Sequence, residues 1–480
     1  MFLEYVYIAG YKNLIDTELE FDECKFPVSI IGNNGTGKSN LIEALLHIFV
    51  GLYYNQPPSF DFSIRYVAYD KSVEVKKYGQ ERGFDITVDG LRWNANKFKE
   101  RIRSPSQRPP FPAQVFTYYS GSCDRVASIV KKYNRSYMYK LRRYTDDLER
   151  QFVFSDVSQA EWIVLGLIAH GHQQLLREMG IGHLNELKLT FHSPKSYVSD
   201  DDPLFWGTVG AIREFLADVD NLAEEGYQPD SPFSRTSLRR LRTYRLNTDQ
   251  LRRIGAALEK RGTTLYSLLQ AMAARHMLWA NEFDIVREGT TDHYKTEFLS
   301  EGEKQLLCVI GGLTLAKNNE CLVLLDEPDT HLNPAWSWRY NSLLKRALTS
   351  QQQATSTTII ATHDPIMISG MTREQVFIAH NENNRLVYER PYRDPRGQGV
   401  ANILVSEYFG LPSSLDEYTQ SMLDERLQFA YRDEELTDDE RERLQEINAY
   451  LDGLGLTISF RDPKYKAWEE QLYTHGEGEE

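Results

Sequence analysis

Gly32-Asn33-Asn34-Gly35-Thr36-Gly37-Lys38-Ser39 decides how this chain is read. It fits G-x-x-x-x-G-K-[ST], a phosphate-binding loop. Residues 26–31 before it form an apolar, β-branched run. After it Leu41, Ile42, Ala44, Leu45, Leu46 and Ile48 recur at helical spacing. The loop therefore lies between a buried strand and a helix N-terminus, the setting the motif requires. Its glycines let backbone N–H groups close around phosphate oxygens, and the helix dipole favours the anion. Asn33, Asn34, Gly35, Thr36, Gly37, Lys38, Ser39 and Asn40 are expected to line the nucleotide. Lys38 is expected to reach the β- and γ-phosphates and Ser39 to ligate Mg²⁺.

The chain has 480 residues, 41% hydrophobic and 26% charged, room for two or three domains. The N-terminus has no basic region followed by a small-residue cleavage site, so no signal peptide is expected. No apolar run is long enough to span a bilayer, so no membrane association is expected. Cys24, Cys123, Cys308 and Cys321 are scattered without a C-x-x-C pair and read as reduced core residues of a cytoplasmic protein. The net charge of −14 is unevenly spread. Residues 401–480 hold 20 Asp/Glu against 7 Lys/Arg, and the other 400 residues hold 49 against 48. An acidic tail thus follows a neutral body, which leaves room for a local basic face.

The pattern divides the chain into four. Residues 1–123 read as an α/β lobe with the loop. Residues 124–290 read as mainly helical, with apolar sets around Trp162–Ile168, Phe215–Val219 and Leu265–Met272 and a polar loop at 193–202. Residues 291–380 return to α/β. Residues 381–480 form the acidic extension, in which Thr437 and Glu440 make a capping box. There Leu444, Ile447 and Leu451 make a core stripe, Gly453 a C′ residue, and residues 475–480 a disordered end.

Three further motifs follow. Leu299-Ser300-Glu301-Gly302-Glu303-Lys304-Gln305 opens a helical run, Cys321-Leu322-Val323-Leu324-Leu325-Asp326-Glu327-Pro328 is an apolar strand ending in two carboxylates, and Thr358-Ile359-Ile360-Ala361-Thr362-His363-Asp364 is a strand ending in histidine. Asp326 is expected to hold Mg²⁺. Glu327 is placed to orient or deprotonate an attacking water. His363 is placed to bond the γ-phosphate. Ser300 and the Gly302 backbone, at a helix start, offer a second phosphate-binding surface.

Together the four motifs resemble the ABC ATPases, in the branch that holds the SMC, RecF and OLD proteins. The resemblance covers roughly residues 1–125 and 290–380. It implies an ATP- and Mg²⁺-dependent ATPase whose signature closes on the P-loop of a second copy, a homodimer or higher oligomer bridged by ATP. Glu301 stands where the signature usually has glycine. Asp329 and His331 fall in the D-loop segment, at the implied dimer contact. Lys12, in a Tyr-Lys-Asn segment, resembles the F-[RK]-N of RecF-type ATPases and is implied to approach the nucleotide. Gln114 is the candidate Q-loop glutamine and a third metal contact.

About 260 residues separate Ser39 from Leu299. That insertion resembles those of OLD-like and Septu-type defence ATPases, and the strand end at Tyr118-Tyr119-Ser120-Gly121 resembles ATPases encoded beside restriction-type nucleases. The early glutamate and later D-x-D of a TOPRIM nuclease are not found after His363, so any nuclease is expected to be a separate effector protein. His170-Gly171-His172 lacks further ligands and reads as structural. Arg235, Arg239, Arg240, Arg242, Arg245, Arg252, Arg253, Lys260 and Arg261, with Tyr244, form a basic stretch that either binds nucleic acid or makes a solvated or acid-docking face. The expectation is an ATPase that regulates an effector in anti-phage defence. The alternative is a RecF-like repair ATPase acting on DNA directly.

Overall fold

The structure, a computed structural model, describes residues 1–21, 26–33, 35–79, 83–104, 108–121, 125–143, 148, 150–194, 202, 205–223, 241–316, 319–382, 385–431 and 436–456. Asn34, Cys24, Cys123, Arg235, Arg239, Arg240, most of the polar loop expected at 193–202 and the chain end lie outside these residues. The chain forms two compact units, residues 1–399 and 400–480.

The first unit is built on a seven-stranded sheet. Its order is Arg385–Glu389, Val376–Glu382, Val28–Ile31, Thr357–Ala361, Cys321–Asp326, Gln114–Tyr119 and Phe152–Ser155. All neighbours are parallel except the terminal hairpin. Strands covered on both faces need continuous apolar runs rather than alternation. All four residues of Val28–Ile31 and all six of Cys321–Asp326 are accordingly buried. The parallel register pairs Ile30 with Ala361 and Asp326 with both Ala361 and Tyr119. Three motif-bearing loops therefore leave the same edge of the sheet.

A six-stranded antiparallel sheet, from Phe2–Tyr11 through Leu91–Trp93, shares a core with the helix Lys38–Tyr54. It includes the two opening strands, Phe2–Tyr11 and Leu14–Glu20, and four short strands between residues 62 and 93. The helix is apolar nearly all round, which suits a helix packed on both sides.

The segment expected to be mainly helical is only partly so. Its helices Ala160–Ala169, Gly210–Leu222 and Leu265–Ala274 form on the anticipated apolar sets. Ile181–His192, Leu241–Leu246 and Leu278–Arg287, with His293–Lys295, also make a four-stranded antiparallel sheet. The central strand buries Leu187, Leu189 and Phe191 in alternation, but its partners lie some 50 and 90 residues downstream, as in Leu189 opposite Tyr244 and Asn281. The expected end of the ATPase lobe at 380 is likewise too early. The hairpin to Glu389 belongs to the main sheet, and the compact unit runs to Gly399.

In the second unit, Glu417–Ala430 and Asp438–Gly453 pack Met422, Leu423, Phe429, Leu444, Ile447 and Leu451 together. Thr437 and Glu440 make the expected capping box. Gly453 is the last helical residue rather than C′. The left-handed position falls at Gly455, with φ of 70°.

Candidate functional site: a P-loop ATPase centre

The P-loop turns into its helix at Gly37, whose φ of 76° favours glycine. Thr36 donates its hydroxyl to the Asn33 carbonyl at 2.7 Å and closes the loop on itself. The buried Lys38 amine donates to the Gly32 and Asn33 carbonyls at 2.7 and 3.1 Å. Burial pushes this amine below its ordinary pKa, opposed by the Glu327, Asp326 and Asp329 carboxylates. An amine held inside an anion-binding loop gains most from a phosphate.

Ser39 donates to Asp326 Oδ1 at 3.0 Å, which joins the loop to the strand 287 residues later. Burial pushes the Asp326 carboxyl up to about 7, although the Ser39 hydrogen bond acts in the opposite direction. A desolvated carboxylate beside a hydroxyl is the oxygen donor pair of a hard divalent cation, which would restore its charge. ATP and Mg²⁺ therefore fit the residues present.

Glu327 follows at φ of 47°, a left-handed conformation unusual outside glycine. Its N–H donates to the Ala361 carbonyl at 2.8 Å. His363, on the loop after that neighbouring strand, places Nδ1 3.4 Å from Glu327 Oε1. The structure thus brings Lys38, Ser39, Asp326, Glu327 and His363 to one sheet edge.

Lys12 forms an ion pair with Glu43, a buried residue of the P-loop helix, and Tyr11 donates to the same carboxylate at 2.9 Å. Asn40, expected to line the nucleotide, is instead held with two residues not singled out, Asn13 and Arg125, in a network that extends this support. Asn13 donates to the Gly35 carbonyl at 3.0 Å, Asn40 donates to Asn13 at 2.6 Å, and Arg125 donates to Asn40 at 2.8 Å. Arg125 also pairs with Glu43 at 2.6 Å. Asn13 adjoins the quoted Lys12; no local pattern singles out Arg125.

Gln114 does not belong to the site. It opens its strand opposite Cys321, whereas the Asp326 end of that pairing faces Tyr119. Five residues of strand, at about 3.3 Å each, separate it from the level of Asp326. Its amide donates instead to the Arg150 carbonyl at 3.0 Å. A glutamine at the N-terminal end of its strand lies at the wrong edge of a parallel sheet.

Ser300 caps the signature helix Glu301–Leu306 in a reciprocal box with Glu303. A methyl group on Gly302 would lie 2.5 Å from the His331 carbonyl, so the signature packs directly on the D-loop. Buried Gln305 joins them further, donating to the Glu327 carbonyl at 3.1 Å and accepting from His331 N–H at 3.2 Å. Thr362 donates to Asp329 at 2.7 Å. Phe298, two residues before Ser300, is 71% exposed, and Trp338, on the helix Pro334–Ala347 that follows the D-loop segment in sequence, is 72% exposed.

Elsewhere, His170 accepts from Leu265 N–H through Nε2 at 3.0 Å and meets Glu259 through Nδ1 at 3.2 Å, a structural role. In the basic stretch, Arg261 pairs with Asp218 and Glu214, Arg252 with Asp249, and Arg242 with Asp220 at 3.9 Å. Among the described residues no helix is long and apolar enough to cross a membrane.

This fold and centre define a P-loop ATPase head of the ABC type, as in SMC and RecF proteins. The chain belongs to the family described as "AAA domain, putative AbiEii toxin, Type IV TA system", whose model matches residues 28–369. It is 27% identical over 134 residues to the Septu protein PtuA of Bacillus mycoides (strain KBAB4), covering 26% of this chain and 18% of that one. It is 27% identical over 117 residues to "Retron Vc95 probable ATPase" of Vibrio cholerae serotype O1 biovar El Tor, covering 22% of each. It is 28% identical over 161 residues to the DNA replication and repair protein RecF of Leptospira biflexa, covering 30% of this chain and 42% of that one. The chain thus spans less than half the length of each of these relatives.

Proposed function

We propose that this chain binds and hydrolyses ATP, that two copies close on the nucleotide, and that closure regulates a separate effector, a nuclease, in anti-phage defence. The carrying observation is the convergence of Lys38, Ser39, Asp326, Glu327 and His363 at one sheet edge. Lys38 binds the β- and γ-phosphates. Magnesium held by Ser39 and Asp326 would withdraw charge from them. Glu327 takes a proton from water as the water oxygen bonds to the γ-phosphorus and the bond to the bridging oxygen breaks, leaving ADP. His363 bonds the γ-phosphate and orients Glu327. Lys12 stands next to the nucleotide through Glu43.

Support for the closing pair comes from the exposed signature cap at Ser300 and from exposed Phe298 and Trp338. Exposed Trp and Phe are residue types that anchor interfaces. Similarity to a Septu protein and a retron ATPase supports the defence reading. Similarity to RecF supports the second reading, a cytoplasmic repair ATPase acting on DNA.

Glu327→Gln tests the chemistry. It should keep ATP affinity, slow turnover by about a hundredfold or more, and accumulate an ATP-dependent dimer in light scattering. Normal turnover would remove Glu327 as the base. Copurification with the products of adjacent genes separates the two readings. A stable complex that cuts nucleic acid only with the neighbour present establishes the regulator, and a chain that purifies alone and closes on ATP and DNA favours repair.

A further inference from the structure

The helix Arg125–Arg143 carries seven lysines and arginines and no aspartate or glutamate. Its first residue serves the P-loop through Asn40 and Glu43. The following turns bury Val126, Val130, Tyr133 and Tyr137 in the core shared with the P-loop helix and leave another face outside. Lys131 and Arg135, four residues apart and so neighbours on one helix face, are both exposed. With Ser128, Asn134, Met138 and Tyr139 they line an open groove of about 580 Å³. Tyr139 is 60% exposed. No carboxylate lines the groove among the described residues.

Two more cations stand on Tyr54. Lys132 donates to Gln56 at 2.6 Å and lies 4.8 Å over the Tyr54 ring. Arg103 approaches the same ring from another element, at 5.7 Å. Tyr54 ends the P-loop helix, so these charges gather at its C-terminus. A solvated helix face ordinarily mixes signs, and two or three cations would be enough for the helix dipole. The basic stretch at 242–261 is different, since carboxylates of the helix Gly210–Leu222 and of its own helix stand against it.

We propose that the groove along Lys131, Arg135 and Tyr139 binds single-stranded nucleic acid, with the cations on successive phosphates and the Tyr139 ring under a base. Charge of one sign tracks a phosphodiester backbone, and an exposed ring among the cations supplies a stacking platform that any base fits. This site lies outside the ATP centre and does not depend on what the ATPase regulates.

Fluorescence anisotropy of the full chain with labelled oligo(dT), compared with oligo(U) and a DNA duplex, tests it. In salt of about 50 mM, Lys131→Glu/Arg135→Glu should weaken oligo(dT) binding tenfold or more, and should reduce the salt slope by about 1.4, at ~0.7 per phosphate. Tyr139→Ala should weaken it by about fivefold or more with the slope unchanged. Both variants should turn over ATP without nucleic acid as the parent does, which separates loss of this site from misfolding. Wild-type affinity and slope in the double variant overturn the proposal. Tighter binding of duplex with no effect of Tyr139→Ala overturns the single-strand assignment. A full chain that binds none of the probes overturns it also and assigns the face to an acidic protein surface.

Discussion

The side-chain amide of Gln305 donates to the backbone carbonyl of Glu327 across 3.1 Å. Its oxygen accepts from His331 N–H at 3.2 Å. One fully buried amide of the helix Glu301–Leu306 thus bonds backbone at both ends of the segment 327–331, beginning at Glu327 with its left-handed φ.

Gln305→Ala removes the partner of the His331 N–H and one of the donors to the Glu327 carbonyl, which keeps the Thr330 hydroxyl at 3.0 Å, at a net cost of about 1 kcal/mol for each bond lost. We expect the turnover number to fall about tenfold or more while the KM for ATP stays near its parent value. Steady-state kinetics of the intact chain checks this. A parallel rise in KM would mean that Gln305 supports nucleotide binding rather than the position of Glu327.

Gly302→Ala places a methyl group 2.5 Å from the His331 carbonyl. Backbone on both sides gives little room, and overpacking of this kind costs about 1–3 kcal/mol. Nucleotide affinity should be unchanged, since the P-loop is not touched, and turnover should drop. Calorimetric ATP binding alongside phosphate release distinguishes the two.

Lys38→Ala removes the amine that lies inside the loop. Charge-assisted bonds to phosphate of about 1.5–3 kcal/mol correspond to ten- to a hundredfold in affinity. Titration calorimetry with ATP should show that loss. An unchanged dissociation constant would dismiss the P-loop reading.

Asp329 sets a pH dependence of stability. Burial raises its carboxyl from the ordinary 3.8 to about 6, with the Thr362 hydrogen bond opposing. Below pH 3.8 the folded and unfolded chains are both protonated there and no penalty exists. Between 3.8 and about 6 the unfolded chain ionises first, so stability falls as pH rises, and the penalty is complete above. Asp329→Asn should therefore gain up to about 3 kcal/mol over the parent between about pH 4 and pH 7. Urea unfolding at the two pH values measures it, and a constant difference would contradict the raised carboxyl.

Much of the centre was legible because its signals are local. The run from 26 to 48 contains strand, loop and helix in one window, Asp326 ends an apolar strand, and His363 follows another by two residues. The capping box at Thr437 is readable for the same reason. Contacts between distant residues were not. The insertion's sheet pairs Leu189 with Tyr244 and Asn281, and no window of sequence contains both sides. Gln114 was assigned by residue type, but its role depends on which end of a parallel strand it occupies. Arg125 reaches Asn40 across 85 residues of chain. Gly453 and Gly455 differ only in which of two nearby glycines takes the left-handed turn.

The sheet order sets a schedule for synthesis. Val28–Ile31 is made long before both its neighbours, Thr357–Ala361 and Val376–Glu382, which come more than 320 residues later. At about 5–20 residues per second, the roughly 325 residues between take fifteen seconds to a minute. Throughout that interval the nascent chain carries the P-loop sequence on an apolar strand without its native flanks. Translation that stops before residue 357 leaves Val28–Ile31 without either neighbour and the main sheet without the strand that joins it to Cys321–Asp326.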